Sequence, residues 1–311
     1  MLVFNFFYFL RLFSFCFLIS DAHTVDSLPE NVTKSIDRRI ENGINPSIAI
    51  GIISETGTSY FNFGTIRTDG PAVDEHTIYE IGSITKVFTA ILLAQQVIDG
   101  KVSLDDPINK YLPPEAVVPV LDSIEITFGY LSDHTSGLPR MPENFAPANP
   151  NNPFADYTVE QLYAFISSYT PIRQVGSAYE YSNLAQGLLG HILGLNADLS
   201  YESLMIDNIA SPLGMEETKI TLDANMQVHL AIGYNNGVEA ENWDIPTLAG
   251  AGAIRSSTAD MLRFLSANLG YTDTPLRTAM DMTHKVRHSK AGNMRVGLGW
   301  HIKAGAEGDV I

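Results

Sequence analysis

Residues 83–98, SITKVFTAILLAQQVI, are apolar around most of a helical circumference. A helix without a polar face cannot lie on a surface, so this segment must be central and the rest of the chain must cover it. Gly100 stands just past its end, where a left-handed cap commonly closes a helix. The chain has 311 residues, enough to build such a cover as one large domain or two interleaved subdomains.

The flanking sequence supplies the cover. Val32, Ile36 and Ile40 recur at helical spacing, and Gly43 stops that helix. The β-branched run 46–54 (PSIAIGIIS), the turn Thr56-Gly57 and YFNFGT (60–65) predict a hairpin. Residues 102–112 and the prolines at 113, 114 and 119 read as irregular surface chain, and a Pro- and Asn-rich loop runs from 139 to 153. Thr158 with Gln161 forms a capping-box pattern opening a helix that carries Leu162, Phe165 and Ile166. Further helices are expected over 182–193 and 201–209, and from Ser257 and Asp260 into MLRFLSANL. Near the end, VGLGWHI (296–302) reads as a strand, 305–309 as a turn, and 310–311 as the start of another strand. Strands at both ends around a helical middle suggest a sheet built from the two ends, with a helical subdomain over roughly 101–240.

The N-terminus differs in kind. Residues 2–19 are apolar or aromatic except for Asn5, Arg11 and Ser14, and Ser20-Asp21-Ala22 follow. This predicts an export segment over 1–22, ahead of a domain over 23–311, and a periplasmic or secreted destination. Arg11 sits inside the apolar run rather than before it, so an uncleaved anchor giving membrane association is the alternative fate. The single cysteine, Cys16, lies in this segment. A cleaved chain would have no disulfide, thiol nucleophile or cysteine metal site. Asn31-Val32-Thr33 is a glycosylation sequon, meaningful only in a eukaryotic secretory route.

A net charge of −16, with no Lys/Arg run, repels phosphate backbones and argues against nucleic acid as a partner. No His/Glu ligand cluster appears among eight scattered histidines, so no metal is expected. The run Gly250-Ala251-Gly252 ends on Arg255 where a dinucleotide fingerprint needs glycine, so no cofactor is expected either. No G-x-S-x-G elbow is present.

The chemistry-bearing pattern is Ser83-Ile84-Thr85-Lys86 at the start of the central helix. Residues three apart share a helical face, so hydroxyl and amine can meet. A serine hydroxyl needs a base, and a buried lysine with a lowered pKa can serve. The helix start favours the negative charge that develops during acyl transfer. Tyr181-Ser182-Asn183, at the entrance of a later helix, offers a phenol and a carboxamide. His134-Thr135-Ser136-Gly137 reads as a structural turn rather than a His–Ser pair.

EIGSITKVFTAILLAQQVIDGKVSLDDPINKYLP (80–113) is similar throughout to the active-site segment of class C β-lactamases, D-Ala-D-Ala carboxypeptidases and related esterases. The likeness continues in ITFGYLSDHTSGLPR (126–140), YSNLAQGLLGHIL (181–193), SPLGMEETKI (211–220), AGAIRSSTADMLRFL (251–265) and GLGW (297–300). The stretch 101–157 most resembles the D-Ala-D-Ala carboxypeptidase/endopeptidase subgroup. The resemblance implies a fold of the β-lactamase/transpeptidase-like α/β class, an antiparallel sheet flanked by helices plus a mostly helical subdomain. It implies Ser83 as the acylated nucleophile, Lys86 and Tyr181 sharing the base role, and Asn183 contacting the substrate amide and Lys86. It also implies a third motif, Lys/His-x-Gly, on a strand shortly after GLGW. Lys290-Ala291-Gly292 comes before that point, and Lys303-Ala304-Gly305 comes too early and in a turn-like context. The expectation is therefore a chain that stops short of that motif.

The expected substrate is a small molecule or peptide with an amide or ester: a D-Ala-terminated peptide, a β-lactam or a small ester. Two other readings are a small-molecule esterase of the same fold and a non-catalytic scaffold. The scaffold reading gives no reason for Ser83, Lys86, Tyr181 and Asn183 to occur together.

Overall fold

A computed structural model describes residues 16–19, 25–235, 237–289, 294–305 and 308–311. In chain order the elements are β1 (Cys16–Ile19), α1 (Glu30–Glu41), β2 (Ser47–Ser54), β3 (Gly57–Gly64) and β4 (Ile78–Glu80). Next come α2 (Thr85–Ile98), α3 (Phe128–Ser132), α4 (Val159–Ser168), α5 (Asn183–Ala197), α6 (Tyr201–Met205) and α7 (Ala224–Val228). Then follow β5 (Gly233–Asn235), β6 (Val238–Ala240), β7 (Arg255–Ser257), α8 (Thr258–Leu269) and α9 (Arg277–Thr283). Four short strands close the order: β8 (His288–Ser289), β9 (Met294–Val296), β10 (His301–Gly305) and β11 (Gly308–Val310). Apart from Cys16–Ile19, the segment read as an export signal lies outside the described residues, as do its cleavage site and Lys290-Ala291-Gly292.

The chain forms two compact units. The first takes the chain up to Ile81 with Ala210–Asn242 and Ile254–Thr274, and the second takes Gly82–Ile209, Trp243–Ala253 and Pro275–Ile311. The helical stretch expected over 101–240 is thus divided, with 210–240 falling in the first unit.

In the first unit, β2 pairs antiparallel with β3 and parallel with β1. Every β2 residue is buried, and the two faces meet different partners. Ile48, Ile50 and Ile52 pack with Val32, Ile36 and Ile40, the apolar stripe of α1, and with Leu28 just ahead of that helix. The alternate residue Gly51 faces α8, where a Cβ would stand 2.8 Å from Leu262 Cγ and Thr258 Cγ2. Period-two alternation therefore sorts the strand into an isoleucine face and a close-approach face. Ser257 caps α8 by accepting from Asp260 N at 3.2 Å, and the fully buried Asp260 accepts from Glu217 N and Thr218 Oγ1.

The second unit is organised by α2, which packs against α5, α6 and α9. Two of its buried polar side chains are tied: Thr89 Oγ1 donates to the Gly250 carbonyl at 2.8 Å and meets Tyr201 Oη at 2.7 Å, and Gln96 Nε2 donates to the Leu193 carbonyl. A helix buried all round can keep such groups only if each is paired. The Thr158–Gln161 capping box is formed on both sides.

Three expectations are revised. VGLGWHI is not one strand: β9 ends at Val296, residues 297–300 turn back with Gly297 N donating to the Trp300 carbonyl, and β10 begins at His301. Gly299, at φ +69°, makes this turn, and a Cβ there would stand 2.7 Å from the Lys86 carbonyl. Lys303-Ala304-Gly305 lies on β10, so its context is a strand and not a turn. Among the described residues, the strands of the two chain ends occupy separate sheets, β1-β2-β3 and β11-β10-β9-β8.

Candidate active site

Ser83 stands in a single tight 3₁₀ turn, Gly82–Ile84, that leads directly into α2. Gly82 adopts φ +50°, a conformation glycine takes without strain, and so turns the chain into the helix with the serine on its outer side. Ser83 is half-buried, whereas Lys86, one turn further in, is 2% exposed.

Lys86 Nζ has three acceptors around it: Ser83 Oγ at 3.1 Å, Asn183 Oδ1 at 3.0 Å and the Ala251 carbonyl at 2.7 Å. Burial lowers its pKa; Tyr181 opposes that shift, and the charge of Arg140 adds to it. A neutral amine has two N–H bonds and one lone pair. With Asn183 and Ala251 taking the two protons, the lone pair is left facing Ser83. Tyr181 Oη donates to Ser83 Oγ at 2.6 Å, and Lys86 Nζ lies 4.8 Å from the centre of the phenol ring. The hydroxyl thus contacts an amine and a phenol at once.

The entrance to α5 places Tyr181 and Asn183. Ser182 is its N-cap, accepting from Ala185 N at 2.9 Å and donating to the Pro139 carbonyl at 2.6 Å. The turn 134–140 grips the same tripeptide along its length. Glu180 N donates to the His134 carbonyl, Ser182 N to His134 Nδ1 at 3.1 Å, and Asn183 N to the Arg140 carbonyl at 3.0 Å. His134, at φ +62°, is buried, and its ring stacks on Tyr181 with centroids 4.7 Å apart. Because Nδ1 accepts from a backbone N–H, the neutral imidazole carries its proton on Nε2.

The structure therefore brings together all four residues singled out from the sequence, across 98 positions between Ser83 and Tyr181. It also adds three contributions that motif reasoning did not isolate. His134 lies against the phenol, Arg140 Cζ lies 5.0 Å from the same ring centre, and the Ala251 carbonyl holds the lysine. His134 stood inside a motif read as a turn, and Arg140 in the loop read over 139–153. A backbone carbonyl has no residue type to signal it. Gly190 and Gly250 explain how that carbonyl arrives: a Cβ on Gly190 would stand 2.8 Å from Gly250 Cα, so α5 and the turn carrying Ala251 meet backbone to backbone. Among the described residues, no group of three or more His, Cys, Asp or Glu is arranged to hold a metal.

The arrangement is suited to acyl transfer through an oxygen nucleophile. Comparisons with known proteins agree. The family described as Beta-lactamase matches residues 34–308. A beta-lactamase of Psychrobacter immobilis is 28% identical over 288 residues, spanning 90% of this chain and 68% of that protein. The D-alanyl-D-alanine-carboxypeptidase/endopeptidase AmpH of Escherichia coli is 29% identical over 301 residues, 90% of this chain and 76% of its own. Among solved structures, a beta-lactamase/D-alanine carboxypeptidase from Pseudomonas syringae superposes with a TM-score of 0.76 at 26% identity, covering 89% of this chain and 76% of that one. A family match over most of the chain, together with this constellation in the second unit, shows that the protein belongs to the beta-lactamase family of serine hydrolases.

Proposed function

We propose that the protein hydrolyses an amide or ester through an acyl-enzyme on Ser83, with Lys86 and Tyr181 as the shared proton carrier and Asn183 as a substrate contact. The observation that carries this is the double contact of Ser83 Oγ, with Lys86 Nζ at 3.1 Å and Tyr181 Oη at 2.6 Å. The Ser83 proton passes to the Lys86–Tyr181 couple as Oγ bonds to the acyl carbon. The couple returns that proton to the leaving nitrogen or oxygen as its bond to the acyl carbon breaks. A water then gives its proton to the same couple, its oxygen bonds to the acyl carbon, and Ser83 leaves with the proton restored. The oriented N–H groups at the start of α2 favour the transient oxyanion.

The substrates are small molecules or peptides, and a D-Ala-terminated peptide or a β-lactam is the favoured choice among them. The AmpH relative and the carboxypeptidase structure support the peptide, and the beta-lactamase relatives support the lactam. The apolar run of residues 2–19 supports export to the periplasm or medium, checked by the mass of the mature N-terminus after fractionation. Among the described residues, no helix is long and apolar enough to cross a membrane.

Labelling with a fluorescent penicillin, set beside turnover of a D-Ala-D-Ala peptide, tests the reading. Covalent label on the wild type and none on Ser83→Ala is expected. Label that persists in Ser83→Ala, or no label and no turnover of peptide or ester by folded wild type, refutes it.

A further inference from the structure

We propose that Arg140 is a specificity residue of this site, selecting substrates whose acyl part carries a carboxylate. The proposal rests on the acyl-enzyme reading above.

Arg140 is exposed, yet its backbone is fixed. Its carbonyl accepts from Asn183 N at 3.0 Å and from Leu184 N at 3.3 Å, two donors that the first turn of α5 leaves without helical partners. Its guanidinium carbon lies 5.0 Å from the Tyr181 ring centre, a cation–π distance. It is therefore a cation rooted beside the reacting serine's phenol, with its head free to turn outward.

Its charge is unspent. Among the described residues Arg140 makes no ion pair, whereas Arg173, Arg277 and Arg287 in the same unit each meet a carboxylate. Lys86 cannot take the part of an anion receptor, because it is buried and its nitrogen is engaged by Ser83, Asn183 and the Ala251 carbonyl. Arg140 is the cation at this site that can reach an incoming ligand, and its planar fork matches a carboxylate through two parallel hydrogen bonds.

The side of the substrate follows from the neighbours. Residues 140 and 141 adjoin Asn183, whose Nδ2 lies 3.8 Å from Met141 Sδ. Asn183 is the substrate contact in the reading above, and we assign the acyl part, rather than the leaving group, to the wall it shares with Arg140 and Met141.

Three chromogenic esters separate the alternatives with the full chain. Mono-p-nitrophenyl succinate carries a carboxylate on the acyl part, p-nitrophenyl butyrate carries none, and the butyrate ester of a hydroxynitrobenzoate carries it on the leaving group. Arg140→Gln should lower the kcat/KM ratio of the succinate to the neutral butyrate by about tenfold, Arg140→Lys should keep part of it, and added salt should reduce the wild-type ratio. An unchanged ratio in Arg140→Gln, or a loss confined to the ester charged on its leaving group, overturns the proposal. Loss of all three turnovers in Ser83→Ala keeps the acyl-enzyme reading separate, since that reading fails only if Ser83→Ala remains active. Where turnover is too slow, affinities of a carboxyalkyl boronic acid and its uncharged counterpart for wild type and Arg140→Gln give the same comparison, and equal discrimination by the two proteins overturns it.

Discussion

Lys86 is held at a pKa below that of a free lysine chiefly by its burial. The neutral amine is the form that can accept the Ser83 proton, so kcat/KM should rise as pH climbs through this lowered value. Lys86→Arg keeps the charge but cannot deprotonate. It should lose about 10²–10⁴ in kcat/KM, the ordinary worth of a positioned acid–base group, together with that limb of the profile. Tyr181→Phe keeps the ring and removes the hydroxyl, and a loss of similar size is expected. Wild-type rates from Tyr181→Phe would remove the phenol from the mechanism. Removing the Arg140 charge lifts one of the influences that lower the Lys86 pKa, so the limb in Arg140→Gln should move to higher pH.

His134 stacks on the Tyr181 ring with centroids 4.7 Å apart, so its effect on turnover is expected to pass through the phenol. Asparagine tolerates φ near +62° and can still accept from Ser182 N, but it has no ring to stack on Tyr181. His134→Asn should remain folded, lose about 1–3 kcal/mol of stability in urea unfolding, and lower kcat about tenfold with little change in KM. Unchanged kcat with lowered stability would leave His134 a structural turn residue and nothing more.

At the level of elements, the close approach of α5 to the turn carrying Ala251 links packing to chemistry. Gly190→Ala places a methyl 2.8 Å from Gly250 Cα, and overpacking of this kind costs about 1–3 kcal/mol. The carbonyl that steadies Lys86 should shift with the turn. The expected result is a lower urea midpoint together with reduced kcat, and full activity in a destabilised variant would break the link. The sequence showed those elements whose signals are local. The Thr158–Gln161 capping box, the Ser257 cap and the β2–β3 hairpin each depend on residues within a few positions of one another. It did not show the turn in GLGW, because Gly299 is needed for its contact with the Lys86 backbone, 213 residues earlier in the chain. It did not show π-type winding at Ile206–Ala210 either, where an ordinary helix was the natural reading. The same division holds at the site. That Ser83, Lys86, Tyr181 and Asn183 meet was legible because a hydroxyl, an amine, a phenol and a carboxamide are residue types that point to acyl transfer. The roles of His134, Arg140 and the Ala251 carbonyl exist only in their contacts.

For the whole molecule, a charge of −16 sets up self-repulsion that salt screens. Thermal midpoints at neutral pH should therefore rise between low and physiological ionic strength, and a fall would show that specific ion pairs outweigh the net charge. Surface pairs such as Lys34–Glu30 are too exposed to reverse this. The Ser83–Lys86–Tyr181–Asn183 cluster and the Ala251 carbonyl belong wholly to the second unit, drawn from its segments Gly82–Ile209 and Trp243–Ala253. The measurement that tests the account most directly is intact-mass analysis with peptide mapping after brief exposure to a β-lactam or activated ester. One acyl group per chain, on the peptide containing Ser83 and absent from Ser83→Ala, is the predicted result. An adduct on any other residue, or hydrolysis that survives Ser83→Ala, would contradict it.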